Sequence, residues 1–346
     1  MRRIALLLVL VGASVLLAAG PAAACGGLVG ENGTIQLTRT TTLAAYHDGV
    51  ERYVTSFEFS GRGQEVGSIV PLPGVPTKVE RGGDWTLQRL EREVNPVPET
   101  RVFDAAASAA NDEAQVLYST KIDALDITIL RGGANAVGKW ALDHGFLLTP
   151  DAPQVLDFYS RRSKIFMAAR FDANRARELG QNSGDGTPIM LTIPVAEPWV
   201  PLRILALGLD RTKIVDADVF LLTDHRPLLR AGDTGLTLAR SDEASSSLLG
   251  DLRSDKGMQW VPDDMWLSYL RVNTPAGNLN YDLAVSTHDG VVPSARLVGI
   301  GFPGGLRGPT GSSSAWWDVL GVTGGILVAV TAIALARRFA TRTATP

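Results

Sequence analysis

Two periods of apolar positions alternate along residues 31–300. Residues 34–46, TIQLTRTTTLAAY, alternate weakly and are rich in threonine, which predicts a strand. His47-Asp48-Gly49 follows; Asp-Gly supports the positive φ values of a tight hairpin, so VERYVTSFEF, residues 50–59, should return as its partner. VGSIVPLPGVP, residues 66–76, reads as a strand that stops, or lies at an edge, where its prolines donate no ladder bond. In DWTLQRLEREV, residues 84–94, the spacing becomes helical: Trp85, Leu87, Leu90 and Val94 gather toward one side, and Asp84 stands where a cap belongs.

Residues 104–112 suit a loop or a weak helix. Residues 115–130 alternate at Ile122, Leu125, Ile127 and Ile129, giving one or two strands. Residues 134–145 predict a short helix with Trp140 and Leu142 inward and Gly145 as its stop. Residues 150–160 predict a second. Strand patterns recur at 162–172, 187–201, 203–209, 215–224, 265–273 and 278–293, while 231–260 are mixed and predict no element. Three times a strand, a polar loop, a second strand and a proline-bearing turn follow one another, as successive antiparallel hairpins do. The fold class expected is α+β, antiparallel-rich, with a few short helices and one C-terminal transmembrane helix. The extracytoplasmic region, residues 25–300, is one domain or two with a split near 160.

The two ends carry a different pattern. Residues 1–24 have the parts of an export signal: Arg2 and Arg3, an apolar run at 4–17, then Ala22 and Ala24 in A-x-A order, so cleavage falls between Ala24 and Cys25. Residues 319–336, VLGVTGGILVAVTAIALA, carry no charge. At about 1.5 Å per residue they would span roughly 27 Å as a helix, near the hydrocarbon thickness. Trp316 and Trp317 precede this run and Arg337, Arg338 and Arg342 follow it, so residues 315–338 are read as a single-pass span with the tail, 339–346, cytoplasmic. Gly321 and Gly325 are spaced for helix pairing, although glycine is common in membrane helices. Residues 301–314, GFPGGLRGPTGSSS, read as a flexible stalk.

Composition narrows the chemistry. The formal net charge of −3 gives no reason to expect nucleic acid, and one cysteine forms no internal disulfide. The chain has no G-x-S-x-G elbow, H-E-x-x-H helix or Walker loop. No catalytic residue, cofactor or metal ligand is assigned. His47 and His288 sit in H-D-G turns, His144 ends a helix, and His225 lies in a T-D-H-R-P turn, each with a simple structural reading. Asp216 and Asp218 are two acids on one strand face, too few for a calcium site. Cys25 is either the unmodified first residue after cleavage or a lipidated one; Ala22 holds the place where lipidation favours leucine. The proline-rimmed strand ends, with Pro71, Pro73 and Trp199, form the expected contact surface; Trp85 is a second aromatic anchor or a core residue.

A signal peptide followed at once by A-C-G-G resembles an uncharacterised bacterial family of exported proteins, domain of unknown function 2330. The likeness continues through Ile69-Val70-Pro71-Leu72-Pro73, then Trp140-Ala141-Leu142 to Gly145, Tyr159, KIFMAARF and Pro188-Ile189, covering most of residues 25–230. Relatives often carry C-G-G-x-x-C; Gly30 stands at the second cysteine position here, so the small disulfide loop the family implies does not form. The resemblance implies export, often a membrane-anchored end, and no activity.

These features together describe a cell-surface ectodomain on a single-pass anchor that binds a protein or glycan or supports the envelope. The alternatives are an extracytoplasmic hydrolase with a dispersed site, or a subunit of a membrane complex.

Overall fold

The computed structural model describes residues 27–30, 36–60, 65–94, 114–146, 148–180, 187–288 and 290–299. The chain divides into two units, Met1–Gly305 and Leu306–Pro346, and every described residue belongs to the first. The first strands are β1 (Gly27–Gly30), β2 (Gln36–His47), β3 (Val50–Ser60), β4 (Glu65–Leu72) and β5 (Lys78–Arg81). Then come β6 (Gln115–Ile122), β7 (Leu125–Arg131), β8 (Ile165–Asp172), β9 (Ile189–Pro194) and β10 (Trp199–Val200). The last are β11 (Ile214–Thr223), β12 (Leu228–Arg230), β13 (Leu236–Glu243), β14 (Trp266–Pro275) and β15 (Leu283–Ser286). The helices are α1 (Thr86–Val94), α2 (Ala134–Asp143), α3 (Ala152–Ser160), α4 (Ala173–Glu178), α5 (Ser246–Ser254) and α6 (Ala295–Val298).

The strands form a seven-stranded sheet, β13-β14-β11-β2-β3-β9-β5, a five-stranded sheet, β1-β4-β8-β7-β6, and a three-stranded sheet, β10-β15-β12. Neighbours are antiparallel except β2 and β11, which run parallel. The fold is α+β with mostly antiparallel sheets and a few short helices.

The centre of the seven-stranded sheet is apolar on both faces because its strands carry continuous rather than alternating hydrophobic runs. Ala44, Tyr53, Leu191, Val219 and Leu221 face a core shared with the five-stranded sheet, α2 and α3. Their strand neighbours Leu43, Ala45, Val54, Met190, Phe220 and Leu222 face a second core, closed by Leu87 and Leu90 of α1 and by Leu248, Leu249 and Leu252 of α5. Each of the larger side chains among these contributes about 1.5–3 kcal/mol on burial, and each alanine methyl roughly 0.8 kcal/mol. The first core draws residues from both sides of position 160, from Ala44 to Val298.

The Asp-Gly turn forms as the sequence predicts. His47 pairs with Val50, leaving a two-residue loop in which Asp48 and Gly49 have φ of 51° and 75°. Pro71 pairs with Phe166 and lies beyond Ile69, where the pairing with β1 ends. Its missing N–H therefore costs the ladder nothing on that side.

Four expectations are corrected. Residues 203–209 are not a strand; Arg203–Ala206 form a 3₁₀ turn, because side chains take the amides of residues 202–204. Leu142 is 55% exposed while Trp140 is buried; two positions apart on a helix are rotated by about 200°, so both cannot face one core. Asp84 does not cap α1. It pairs with Arg81 at 2.5 Å, and the cap comes from Asp255. The mixed stretch 231–260 holds β13 and α5, whose cap is Ser245: its side chain accepts the Leu248 amide at 3.1 Å.

Candidate functional site

β2 and β11 run in parallel register and finish together, with Tyr46 beside Thr223. The residues that follow this last pair, His47 and Asp224, therefore meet. Asp224 Oδ1 lies 2.6 Å from His47 Nδ1, and Asp48 Oδ2 lies 3.3 Å from His47 Nε2. The ligand-type atoms of His47, Asp48 and Asp224 all lie within 4.8 Å of one another. A carboxylate only accepts, so the close contact places a proton on Nδ1 and fixes the imidazole's orientation.

Two further groups complete this end of the hairpin. Arg52 pairs across from Ala45, on the same strand face as His47, and its guanidinium lies 4.2 Å from the centroid of Trp260. The His47 ring stacks on that tryptophan at 6.3 Å. Burial lowers the Arg52 pKa, and the nearby Asp48 charge opposes that shift. Arg52 Nη1 and Trp260 Nε1 are both buried, with no hydrogen-bond partner among the described residues. His47, Arg52 and Trp260 are themselves half-exposed, so the cluster opens at the surface.

On the opposite face of the hairpin, Glu51 sits across from Tyr46. Glu51 is 0% exposed, neither carboxyl oxygen has a partner among the described residues, and burial pushes its pKa up to about 8. The Tyr46 hydroxyl donates to the Val195 carbonyl at 3.0 Å. Burial raises its pKa first, then the negative charges of Glu51 and Asp224.

A second polar centre is closed. Arg162 and Asp282 form an ion pair whose side chains are 1% and 0% exposed. Asp282 Oδ1 also accepts the Tyr159 hydroxyl at 2.8 Å and the Leu202 and Arg203 amides at 2.7 and 2.9 Å. The Arg162 guanidinium lies 4.3, 5.0 and 4.6 Å from the ring centroids of Phe158, Tyr159 and Trp199. Burial and the Asp282 charge hold the Tyr159 pKa well above its ordinary value. These bonds tie α3, the 3₁₀ turn and the approach to β15 together.

That lock corrects part of the expected contact surface. Trp199 is 2% exposed and stacks on Tyr159 at 5.9 Å, so it is a wall of the aromatic cage. Pro71 is buried inside β4, and Pro73, just past the strand, is half-buried. Ala24, Cys25, Gly321 and Gly325 lie outside the described residues, as do the export signal, the stalk and the apolar run 319–336. No helix among the described residues is long and apolar enough to cross a membrane.

The remaining candidates have local partners. Asp218 accepts the Tyr269 hydroxyl at 2.6 Å, and Asp216 accepts Asn273 Nδ2 at 3.1 Å. His144 stacks on Trp140 at 3.7 Å, with Nδ1 at 2.6 Å from the Trp140 carbonyl. His225 and His288 are exposed. An open hollow of about 650 Å³ lies at the start of α2, lined by residues 133–136 and by Asp157, Ser160, Arg161 and Lys164; Arg161 is paired there with Asp157.

An antiparallel α+β body with a buried ion-pair lock and a polar hairpin end thus defines the class of the molecule. The chain belongs to a bacterial family described as "Uncharacterized protein conserved in bacteria (DUF2330)", which matches residues 19–251. Among solved structures, a crystal structure of baculovirus P35 aligns at 12% identity with a TM-score of 0.42, over 75% of this chain and 99% of that chain. That likeness is too slight to bear on function. No curated protein matches the chain.

Proposed function

We propose that the chain is an exported, membrane-held binding protein whose contact surface is the end of the β2–β3 hairpin. The observation that carries this reading is the pair of unsatisfied donors, Arg52 Nη1 and Trp260 Nε1, within one half-exposed cluster. A buried donor without an acceptor costs about 1–3 kcal/mol. A ligand oxygen that seats there recovers that cost, which suits the carboxylate or hydroxyl groups of a surface protein or glycan. Arginine and tryptophan are also the side chains that dominate contact energies. The export signal at 1–24 and the charge-free run at 319–336 support the location: a cell membrane, single-pass, with the body extracytoplasmic and the C-terminus cytoplasmic.

Photo-cross-linking on intact cells from position 259, exposed beside Trp260, tests the reading. A discrete adduct should form and disappear in Arg52→Ala and Trp260→Ala. Adducts no different from those made at exposed Leu238 would sink it.

One observation favours a second reading, an extracytoplasmic hydrolase. Asp224 holds His47 as a carboxylate holds a catalytic base. Turnover of ester or amide reporters by the full chain, abolished in His47→Ala, would favour that reading over the first.

A further inference from the structure

We infer that His47 Nε2 and Asp48 form a binding site for a divalent transition metal of the zinc type, with Asp224 as the group that orients the imidazole. The argument starts from a conflict of lone pairs. Asp224 takes the Nδ1 proton at 2.6 Å, so in neutral His47 the Nε2 atom is an acceptor. Asp48 Oδ2 faces it at 3.3 Å and is an acceptor as well. Two acceptors at that separation repel unless something positive lies between them.

The separation suits a metal. Ligands about 2.0–2.1 Å from a tetrahedral zinc ion stand roughly 3.4 Å apart. One imidazole nitrogen and one carboxylate oxygen are standard zinc donors, and a carboxylate on the far ring nitrogen is the usual support for a metal-bound histidine. The backbone fixes the geometry: His47 ends β2, and Asp48 is held with φ of 51° in the two-residue turn. Asp48 is 86% exposed, so the outer coordination positions open to solvent. They are available to water or to an oxygen donor from a bound molecule. Arg52 places one positive charge nearby, which weakens the site without reversing the sign set by two carboxylates. The site rests on this geometry and not on the proposed contact role: zinc binding reads the first and cross-linking reads the second.

The rival arrangement is an imidazolium bridging both carboxylates with no metal. The two are separated by titrating the full chain, stripped with a chelator and held in detergent at neutral pH, with zinc alone against a competing chromophoric chelator. We expect one saturable ion per chain. His47→Gln and Asp48→Asn should abolish it, and Asp224→Asn should weaken it by about 10–100-fold. Asparagine tolerates the left-handed turn, so the Asp48 variant keeps the hairpin. His225→Gln and His288→Gln should bind as the parent does. Absence of saturable binding up to millimolar zinc, or binding unchanged in the His47 and Asp48 variants, would overturn the site.

Discussion

Asp255 caps a helix that begins 169 residues earlier in the chain: its Oδ2 accepts the Thr86 amide at 2.8 Å and the Thr86 hydroxyl at 2.7 Å. The same oxygen takes the Trp85 amide at 3.2 Å. Asp255 and Thr86 are both buried, so no bulk water substitutes. Gly83 makes room for this approach, since a Cβ there would lie 2.0 Å from Asp255 Oδ2. The cap thus joins α1 to the segment after α5, and the two helices close the second core together.

Asp255→Ala should therefore cost more than an ordinary exposed cap. Three donors lose their acceptor in a buried place, and we expect a loss of about 2–4 kcal/mol in urea unfolding. Gly83→Ala should be destabilising for a separate reason, the clash with the carboxylate. A loss below about 0.5 kcal/mol for Asp255→Ala would show that the helix start finds another partner.

The Arg162–Asp282 lock predicts a non-additive pair. Removing either partner leaves the other charged and buried, at about 3–5 kcal/mol. Asp282→Ala should be the worse single change, because the Leu202 and Arg203 amides and the Tyr159 hydroxyl lose their acceptor too. Arg162→Met with Asp282→Asn should cost clearly less than the two single losses added. A double-mutant cycle with a coupling energy near zero would show that the charges act independently.

The sequence made the longer strands β2–β4, β6–β9, β11 and β14, the Asp-Gly hairpin and helices α1–α3 legible because these rest on local periodicity and turn chemistry; β13 and helices α4–α6, short or polar in pattern, were not. The 3₁₀ turn at Arg203–Ala206 escaped for the opposite reason. RILALGL has strand-like composition, and what bends it is Asp282, some 80 residues away. Asp84 stands next to α1 in sequence, but the acceptor that caps the helix, Asp255, comes from a distant segment. The hairpin-end cluster was invisible in the same way. His47-Asp48-Gly49 shows a turn, and Thr223-Asp224-His225 shows another, but their meeting follows from the parallel pairing of β2 with β11. The prolines around Trp199 suggest a surface, yet the ring is buried against Tyr159. Its neighbours in space, Tyr159 and Arg162, are not its neighbours in sequence.

Cleavage after Ala24 would make Cys25 the first residue of the mature chain. Intact mass and peptide mapping of membrane-extracted protein should show that terminus. An unmodified Cys25 would leave residues 319–336 as the single tether. An acyl-glyceryl mass increase at Cys25 would give two tethers and hold the body near the bilayer. A chain that retains Met1 would refute cleavage and make residues 1–24 an uncleaved membrane anchor.

Glu51 gives the hairpin a defined pH dependence. Its carboxyl is fully buried without a partner among the described residues, and its folded pKa is raised from 4.5 to about 8. The folded state therefore holds a proton that the unfolded chain releases. Its stabilising contribution is fully present below the unfolded pKa and is lost as pH rises through the folded value. Between about pH 5 and 8 the slope approaches about 1.4 kcal/mol per pH unit, since one proton is bound differentially. Glu51→Gln keeps the shape and removes the proton, so the variant should equal or trail the parent near pH 4 and overtake it near pH 8. The difference between parent and variant, measured by denaturant unfolding at each pH, isolates this carboxyl from all other titrating groups. The two curves running parallel from pH 5 to 8 would mean that Glu51 is already ionised and paired in the folded protein. The hairpin end would then owe its stability to a charge and not to a buried acid.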